Sequence, residues 1–269
     1  MRASWRTRRS AGRVPWLWIL GLCGIASTGS AAERATGWQP GFTLAPYGWL
    51  AGLDGTIGSK SGDLDDGGGI GFPPRVDVSV SDELEEIGFM FYGEWRGERW
   101  TAFFDSVWAN VSQNADLKLN RLLPSSDTTA TVDGNVYQVG IGYRLYDWER
   151  SFLTVYGGGR YYDIEAKVEI KGGILPEKVE TSTTRSWTDA VFGGRWSFDF
   201  GKHWNGFLLA DYGFGESRSV WQIFGTLGYE FSWGSIRGGY RYMNLDYDTA
   251  TYKVNLNLSG PVLGAAFTF

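Results

Sequence analysis

The single histidine, His203, is the side chain in this sequence best suited to acid–base chemistry near neutral pH. It lies beside Trp204, in a segment that separates two stretches of extended pattern and is predicted to be a tight turn. A serine–histidine–acid or aspartate–histidine site requires the imidazole and its partners to converge on one reacting atom. One histidine in a tight turn does not complete such a site. We therefore predict a protein without catalytic residues, and carboxylate-only chemistry remains the alternative.

Acidic residues are concentrated between positions 52 and 85, where Asp63, Asp65 and Asp66 precede three glycines. Acids followed by a glycine turn occur in calcium loops, in which oxygen ligands at set positions and a bidentate glutamate surround the ion. The spacing here differs from that arrangement, and no glutamate follows at the required distance. We predict a solvated acidic loop that binds no metal and no cofactor.

Ten other charges lie within stretches of alternating apolar and small or polar residues. Each occupies the polar face of its stretch, and five are acids and five are arginines. They are Glu94, Asp105, Arg144, Arg160, Asp189, Arg195, Asp211, Glu230, Arg237 and Arg241. Equal numbers of both signs suit mutual pairing better than selection of ions of one sign.

The elements that carry these charges are predicted to be ten β-strands, each alternating with a period of two. In the clearest of them, Trp221, Ile223 and Leu227 share one face while Gln222 and Thr226 share the other. The segments run approximately 42–51, 86–96, 99–113, 134–146, 152–166, 185–200, 203–215, 219–232, 235–247 and 255–269. No amphipathic helix competes with this pattern.

The connections between these segments alternate in length, which is typical of a transmembrane antiparallel up-and-down β-barrel. Short turns are predicted at 97–98, 147–151, 201–202 and 233–234, and long polar loops at 52–85, 114–133 and 167–184. Tryptophans flank or lie within every short turn, as expected of an aromatic girdle at a membrane interface. They are Trp95, Trp100, Trp148, Trp196, Trp204 and Trp233. Ten strands would put both termini on the short-turn side, and eight or twelve strands are the alternatives.

The first 32 residues have the three-part layout of a secretory signal peptide. Five arginines precede an apolar run from Val14 to Ala26, and small residues follow it up to Ala32. A membrane anchor, a lipoprotein signal at Cys23 and a twin-arginine signal are the alternatives. Cleavage near Ala32 would leave a barrel domain at 33–269 with 20 basic and 30 acidic residues and no cysteine. The acidic balance argues against nucleic acid as a partner.

The C-terminal stretch resembles the signal by which outer-membrane barrels are recognised for assembly, with Gly264, Phe267 and Phe269 at the spacing of that signal and Val262 departing from it. The stretches Tyr240–Tyr247 and Ser259–Gly264 are the most similar to known barrels, and residues 38–269 as a whole resemble a small Gram-negative outer-membrane barrel of the OmpW or OmpA-like pattern. This resemblance implies an exported outer-membrane protein that is recognised by the barrel assembly machinery during biogenesis. Its surroundings would then be lipid and lipopolysaccharide. The resemblance implies no particular activity. We expect the barrel to be a monomer.

Three short stretches could add strands, and the last segment contains a change of alternation. Val76–Val80, Val168–Ile170 and Lys178–Thr181 also read as extended, and we interpret them as hairpins beyond the membrane, with extra strands as the alternative. In the last segment, Leu256 and Leu258 do not share a face with Phe267. A β-bulge near Ser259–Pro261 is predicted to reconcile the two parts of that strand.

The ten charges then line the lumen of the predicted barrel, because charges facing lipid near the midplane would cost about 2–4 kcal/mol each. We expect a largely plugged, charge-paired lumen in a structural or surface-interaction protein. The alternative is a narrow channel for small solutes. A lipid-modifying hydrolase or acyltransferase is the second alternative.

Overall fold

The computed structural model describes residues 40–59, 76–80, 87–114, 126–172, 179–217, 219–249 and 252–269. The predicted signal peptide and the acidic loop at 63–66 lie outside the described residues. Twelve strands are present: β1 (Gly41–Leu50), β2 (Gly52–Ser59), β3 (Val76–Val80), β4 (Ile87–Arg96), β5 (Trp100–Asn114), β6 (Ser126–Trp148), β7 (Ser151–Gly172), β8 (Val179–Phe200), β9 (Trp204–Gly215), β10 (Ser219–Glu230), β11 (Ser235–Asp248) and β12 (Tyr252–Thr268). Within these ranges, no helix has the length and apolar character needed to cross a membrane.

Ten of the strands form a closed antiparallel barrel. Their order around the ring is β1, then β4 to β12 in sequence, and pairing of β1 with β12 closes it. Each of these strands corresponds to one of the ten segments predicted from the sequence. The predicted all-β barrel of ten strands, and its resemblance in architecture to small outer-membrane barrels, are therefore confirmed.

The remaining two strands extend the wall at the long-loop end. β2 follows β1 after Ala51 and pairs with Tyr252–Ser259, the first part of β12, and β3 pairs with β2. The upper ends of β7 and β8 also pair with each other, with Val168 opposite Thr181 and Ile170 opposite Val179. The sequences interpreted as hairpins therefore lengthen the barrel wall and add no strand to the ring.

The loop predicted at 114–133 is shorter than expected, because β6 begins at Ser126. Residues 126–133 include three threonines and one valine, which favour strands. This stretch pairs with β7 on one side, and from Thr129 onwards with β5 on the other. The sequence signal was missed because the stretch contains no large apolar side chain.

The bulge predicted near Ser259–Pro261 is wrong. β12 keeps one register against β11, from Lys253 opposite Asp248 to Ala266 opposite Ser235. Leu256 lies inside the barrel and is 2% exposed, whereas Leu263 lies on the outside and is 67% exposed. The apolar residues change face while the backbone stays regular. Among the strand pairs that the structure describes in the ring, one register shift occurs, in β6 between Arg144 and Tyr146.

The same change of face occurs in other strands of the barrel. Nearer the short turns, outward-facing positions are apolar, including Val139, Ile141, Phe192 and Leu263. Nearer the long loops, β7 presents alternate charged residues to the outside, from Asp163 to Glu169, while Tyr162 and Ile164 are buried inside. We call these two parts the membrane half and the loop-end half.

Aromatic side chains mark both borders of the membrane half. At the short-turn border, eight rings form a continuous series with centroids 5.1–6.1 Å apart. They are Trp196, Phe198, Phe200, Trp204, Tyr229, Phe231, Trp233 and Phe267. At the other border, Phe89, Trp108, Tyr137 and Tyr161 form a second series. Trp100 and Trp108 are eight residues apart on β5, which corresponds to roughly 20 Å along the barrel axis for a strand tilted by about 40°. This spacing suits the apolar band of a transmembrane barrel.

Candidate functional site: ion pairs across the bore

Interior charges of the membrane half lie at two levels. The level nearer the short turns is centred on Glu94 of β4, which is 1% exposed. Arg195 of β8 contacts both oxygens of this carboxylate, with Nη2 2.6 Å from Oε1 and Nη1 2.8 Å from Oε2. Arg96 donates to Oε1 through Nε at 2.7 Å, Thr101 donates to Oε1 at 3.2 Å and Tyr92 donates to Oε2 at 2.6 Å. We call these five residues the Glu94 cluster.

The second level is centred on Arg241 of β11, which is 1% exposed. Its Nη2 lies 3.1 Å from Asp105 Oδ2 and 2.8 Å from Gln222 Oε1. Asp105 also accepts a hydrogen bond of 2.7 Å from the Tyr47 hydroxyl. The guanidinium carbon lies 5.5 Å from the Trp49 ring centroid and 5.4 Å from that of Phe224, within the range of a cation–π contact. Arg241 is thus held by charge, hydrogen bonds and aromatic faces together.

The same level continues to Arg160 of β7 through Asp211 of β9. Asp211 Oδ2 accepts hydrogen bonds from Arg160 at 2.7 Å, Tyr156 at 2.6 Å and Gln222 at 2.5 Å. Arg160 also donates to Gln138 Oε1 through Nε and Nη2, at 3.0 and 2.6 Å. The Arg160 and Asp211 side chains are both 0% exposed. We call this hydrogen-bonded series the Arg241 chain; its members are Gln138, Arg160, Tyr156, Asp211, Gln222, Arg241, Asp105 and Tyr47.

Two of these ion pairs cross the interior. In the ten-strand ring, β4 and β8 are four positions apart, and so are β5 and β11. Strands five positions apart would be diametrically opposite. The Glu94–Arg195 and Asp105–Arg241 pairs therefore join nearly opposite walls, at two heights. A ten-stranded bore is narrow enough for side chains to meet across it.

The other four predicted lumen charges lie apart from these pairs. Asp189, 1% exposed, accepts a hydrogen bond of 2.9 Å from the backbone N–H of Ser217 through Oδ1. Arg144 lies near the short turns and pairs with Asp147 at 2.8 Å. Glu230 accepts a hydrogen bond of 2.8 Å from Asn205, and Arg237 donates through Nε to Ser235 Oγ at 3.1 Å. Of the ten charges, six thus belong to the Glu94 cluster or the Arg241 chain.

Sequence reasoning missed the neutral members of these networks. Gln138, Gln222, Tyr47 and Tyr156 share the inward face of their strands with the charges, which is the signal that could have identified them. It also missed the content of the loop-end half, where an aromatic stack replaces charge. Trp187 lies between Tyr162, at 5.0 Å, and Tyr247, at 4.4 Å, with Val220 and Leu245 also buried there. Trp187 Nε1 donates to Ser217 Oγ at 2.7 Å.

His203 lies at the short-turn border, where its ring centroid is 5.5 Å from that of Tyr229. The three-residue turn that contains it begins at Gly201, whose φ of 67° is in the left-handed region. Among the described residues, no group of three histidine, cysteine or acidic side chains is arranged to hold a metal ion.

The residues of the predicted assembly signal lie at the seam of the barrel. Gly264 is opposite Tyr47 of β1, and a Cβ at Gly264 would lie 2.2 Å from the Tyr47 Cβ. Phe269, 62% exposed, exchanges two backbone hydrogen bonds with Phe42, at 3.0 and 2.8 Å. Phe267 contacts Trp233 in the aromatic girdle.

No protein-family model matches the chain, and neither does any curated protein. The chain is similar to the solved structure of Ail, the attachment invasion locus protein of Yersinia pestis, with 12% identity, coverage of 86% of this chain and 100% of that chain, and a TM-score of 0.37. It is also similar to OprG from Pseudomonas aeruginosa (10% identity, 87% and 98% coverage, TM-score 0.40) and to the translocator domain of NalP from Neisseria meningitidis (14% identity, 84% and 88% coverage, TM-score 0.39). At these scores the similarities carry no conclusion about function, and the fold assignment rests on the strand pairing.

Proposed function

We propose that this chain is an outer-membrane protein with a closed bore, serving as a structural or surface-interaction protein. Two ion pairs carry this proposal. Glu94–Arg195 and Asp105–Arg241 span the interior at two heights. A hydrated ion passing along the bore would have to displace both. Breaking a buried pair is strongly unfavourable, because it leaves a desolvated charge behind.

The membrane setting is supported by the outer surface. An apolar band bordered by two aromatic series has about the height of a bilayer core for strands. In this proposal the short turns face the periplasm and the long loops face outwards, after export with a cleaved signal peptide and insertion by the barrel assembly machinery. The barrel is a monomer, and its lateral partners are lipid and lipopolysaccharide.

The interaction surface in this proposal is the wall of the loop-end half. From Tyr161 to the end of β7 at Gly172 the strand continues for eleven residues, which is roughly 28 Å along the axis at a tilt of about 40°. Its outward side chains from Asp163 to Glu169 are charged, and those of β8 include the exposed Ser182, Thr184 and Ser186. A tall hydrophilic wall above a closed bore suits contact with other molecules better than transport.

Conductance in a planar lipid bilayer tests the closed bore. We expect little current through the unmutated protein, and a clear increase when Arg195→Ala and Arg241→Ala are combined. Arg150→Gln, an exposed arginine in a short turn, is the matched control and should behave like the unmutated protein. Large, steady conductance from the unmutated protein would contradict the closed bore and favour the alternative of a narrow channel for small solutes.

Accessibility from outside intact cells tests the orientation. A tag at Ser125 should be reached by an added protease or antibody, and a tag at Glu149, in a short turn, should be protected. The reverse result would invert the proposed topology.

A further inference from the structure

Arg237 is a cation of the bore that has no acidic partner in the part of the chain that the structure describes. The hydrogen bond that its side chain makes there runs from Nε to Ser235 Oγ, at 3.1 Å. Among the described residues, no carboxylate oxygen lies within 4.0 Å of its guanidinium nitrogens, and Nη1 and Nη2 have no acceptor. The side chain is half-buried, so water reaches it from the short-turn mouth. A guanidinium in a confined interior is normally paired.

The surroundings of Arg237 carry excess positive charge. The charged groups acting most strongly on it are Arg96, Glu230, Glu94 and Arg195. Glu94 is already bound by Arg195 and Arg96, at 2.6 and 2.7 Å, and Glu230 is held by Asn205. Three guanidinium groups thus act on one another here with two carboxylates, of which Glu94 is bound through both oxygens and Glu230 accepts one hydrogen bond through Oε1. Such a site attracts an anion from the adjoining aqueous compartment.

The chain also makes room for this side chain. A Cβ at Gly228 would lie 2.8 Å from Arg237 Cγ and 2.9 Å from Asn205 Oδ1, so the absence of a side chain at Gly228 lets the arginine stem cross β10. Asn205 Oδ1 is buried and accepts no hydrogen bond among the described residues. An unused acceptor therefore lies near the stem of an arginine whose Nη1 and Nη2 have no acceptor among the described residues.

We propose that Arg237, with Asn205, forms a binding site for a small oxyanion at the short-turn mouth of the bore. Two parallel N–H groups of arginine match two oxygens of a phosphate or carboxylate. The free acceptor on Asn205 favours an oxyanion that still carries a hydroxyl, as hydrogen phosphate does and sulfate does not. The ligand is a diffusible anion, because the site opens into the bore and not towards lipid.

The test is titration of the full barrel in lipid nanodiscs with inorganic phosphate, followed by amide NMR shifts and calorimetry. We expect saturable binding, with the largest shifts at Gly228 and Ser235 and none at Gly201. Arg237→Gln should weaken binding about tenfold or more, as expected on losing charge-assisted hydrogen bonds. Arg99→Gln is the matched control, since Arg99 lies exposed in a short turn at the same end. It should bind phosphate like the unmutated protein.

Two further arms keep the inference falsifiable. Sulfate should bind more weakly than phosphate, and Gly228→Ala, which displaces the arginine stem, should weaken phosphate binding even if Arg237→Gln does not fold. Heat-modifiable gel mobility reports folding of each variant. Absence of saturable phosphate binding, or equal binding by the unmutated protein and Arg237→Gln, would overturn the site. Either outcome leaves the conductance result untouched, because this site lies on the short-turn side of the Arg241 chain.

Discussion

The two halves of this barrel place opposite kinds of side chain on the inner and outer faces of the same strands. In the membrane half, apolar side chains face out and charged pairs fill the interior, as with Ile141 outside and Arg160 inside. In the loop-end half, charged side chains face out and Trp187, Tyr162 and Leu245 are packed inside. The solvent around the wall explains the difference, since lipid accepts apolar groups and water accepts charges. One continuous strand therefore holds two folding environments.

The two halves are stabilised by different interactions, namely buried ion pairs in the membrane half and apolar packing in the loop-end half. Buried ion pairs contribute little net stability, yet removing one partner is costly because the other charge stays desolvated. Packed apolar side chains stabilise in proportion to the surface they bury and the cavity they would leave. Variants in the two halves should therefore respond differently to the same kind of change.

The largest effect is expected from deleting Phe267–Phe269, which removes the short-turn end of the β1–β12 seam, including the backbone hydrogen bonds between Phe42 and Phe269, and leaves the rest of the β12 pairing in place. In lipid, each unpaired backbone group costs several kcal/mol, so the barrel should fail to insert. Heat-modifiable mobility and membrane fractionation measure this, with Thr268→Ser as a length-matched control. Normal mobility of the truncated chain would mean that the pairing of β12 up to Ala266 is enough to hold the barrel closed.

Next in size is Arg241→Met, which leaves Asp105 with only the Tyr47 hydroxyl among the contacts described above. We expect a loss of about 3–5 kcal/mol in the free energy of unfolding, measured by urea titration in lipid vesicles. The double variant Arg241→Met with Asp105→Leu should recover much of that loss, because no charge is then left unpaired. If the double variant is as unstable as the single one, packing rather than charge controls this half.

The strands of the ring could be predicted from the sequence, whereas the partners of the interior charges could not. Ten strands and the inward face of the charges follow from alternation, because period two and tight turns are local properties. The partners of the charges depend on the shear of the ring, which brings Glu94 to Arg195 from four strands away. The change of face in β12 was misread as a bulge, since Leu256 and Phe267 differ in solvent and not in backbone register.

A smaller loss is expected in the loop-end half from Leu245→Ala, which removes methyl groups from a position that is 2% exposed. The expected cost is about 2–5 kcal/mol, depending on how far the site collapses. Leu245→Met should cost less than about 1.5 kcal/mol, because it keeps the volume. Urea unfolding in the same vesicles measures both. A neutral Leu245→Ala would show that this interior is loosely packed.

The smallest effect is expected on the outer wall, from Lys167→Met. Lys167 contacts Asp133 at 2.8 Å and Glu165 at 3.3 Å, and its side chain is 38% exposed. Its hydrogen bond to Asp133 is the main reason why the pKa of Lys167 is raised. Exposed pairs contribute about 0–1 kcal/mol, so unfolding should barely change, and any change should shrink in high salt. A salt-independent loss above this range would mean that the wall behaves like the interior.

The short connection between β9 and β10 leaves the closed barrel with an open flank. β9 ends opposite Asp189, so Val179–Thr188 of β8 has β7 on one side and, among the described residues, no strand on the other. Apart from Thr188, which donates to Glu216 Oε1, its backbone amides on that side lack a strand partner among the described residues, and we expect them to exchange hydrogen far faster than those of the ring below. Serine, threonine, Glu180 and Arg185 occupy this flank, which are residues that discourage indiscriminate strand addition. Closure of the sheet, the usual protection of a barrel against its own edges, therefore ends at the membrane surface.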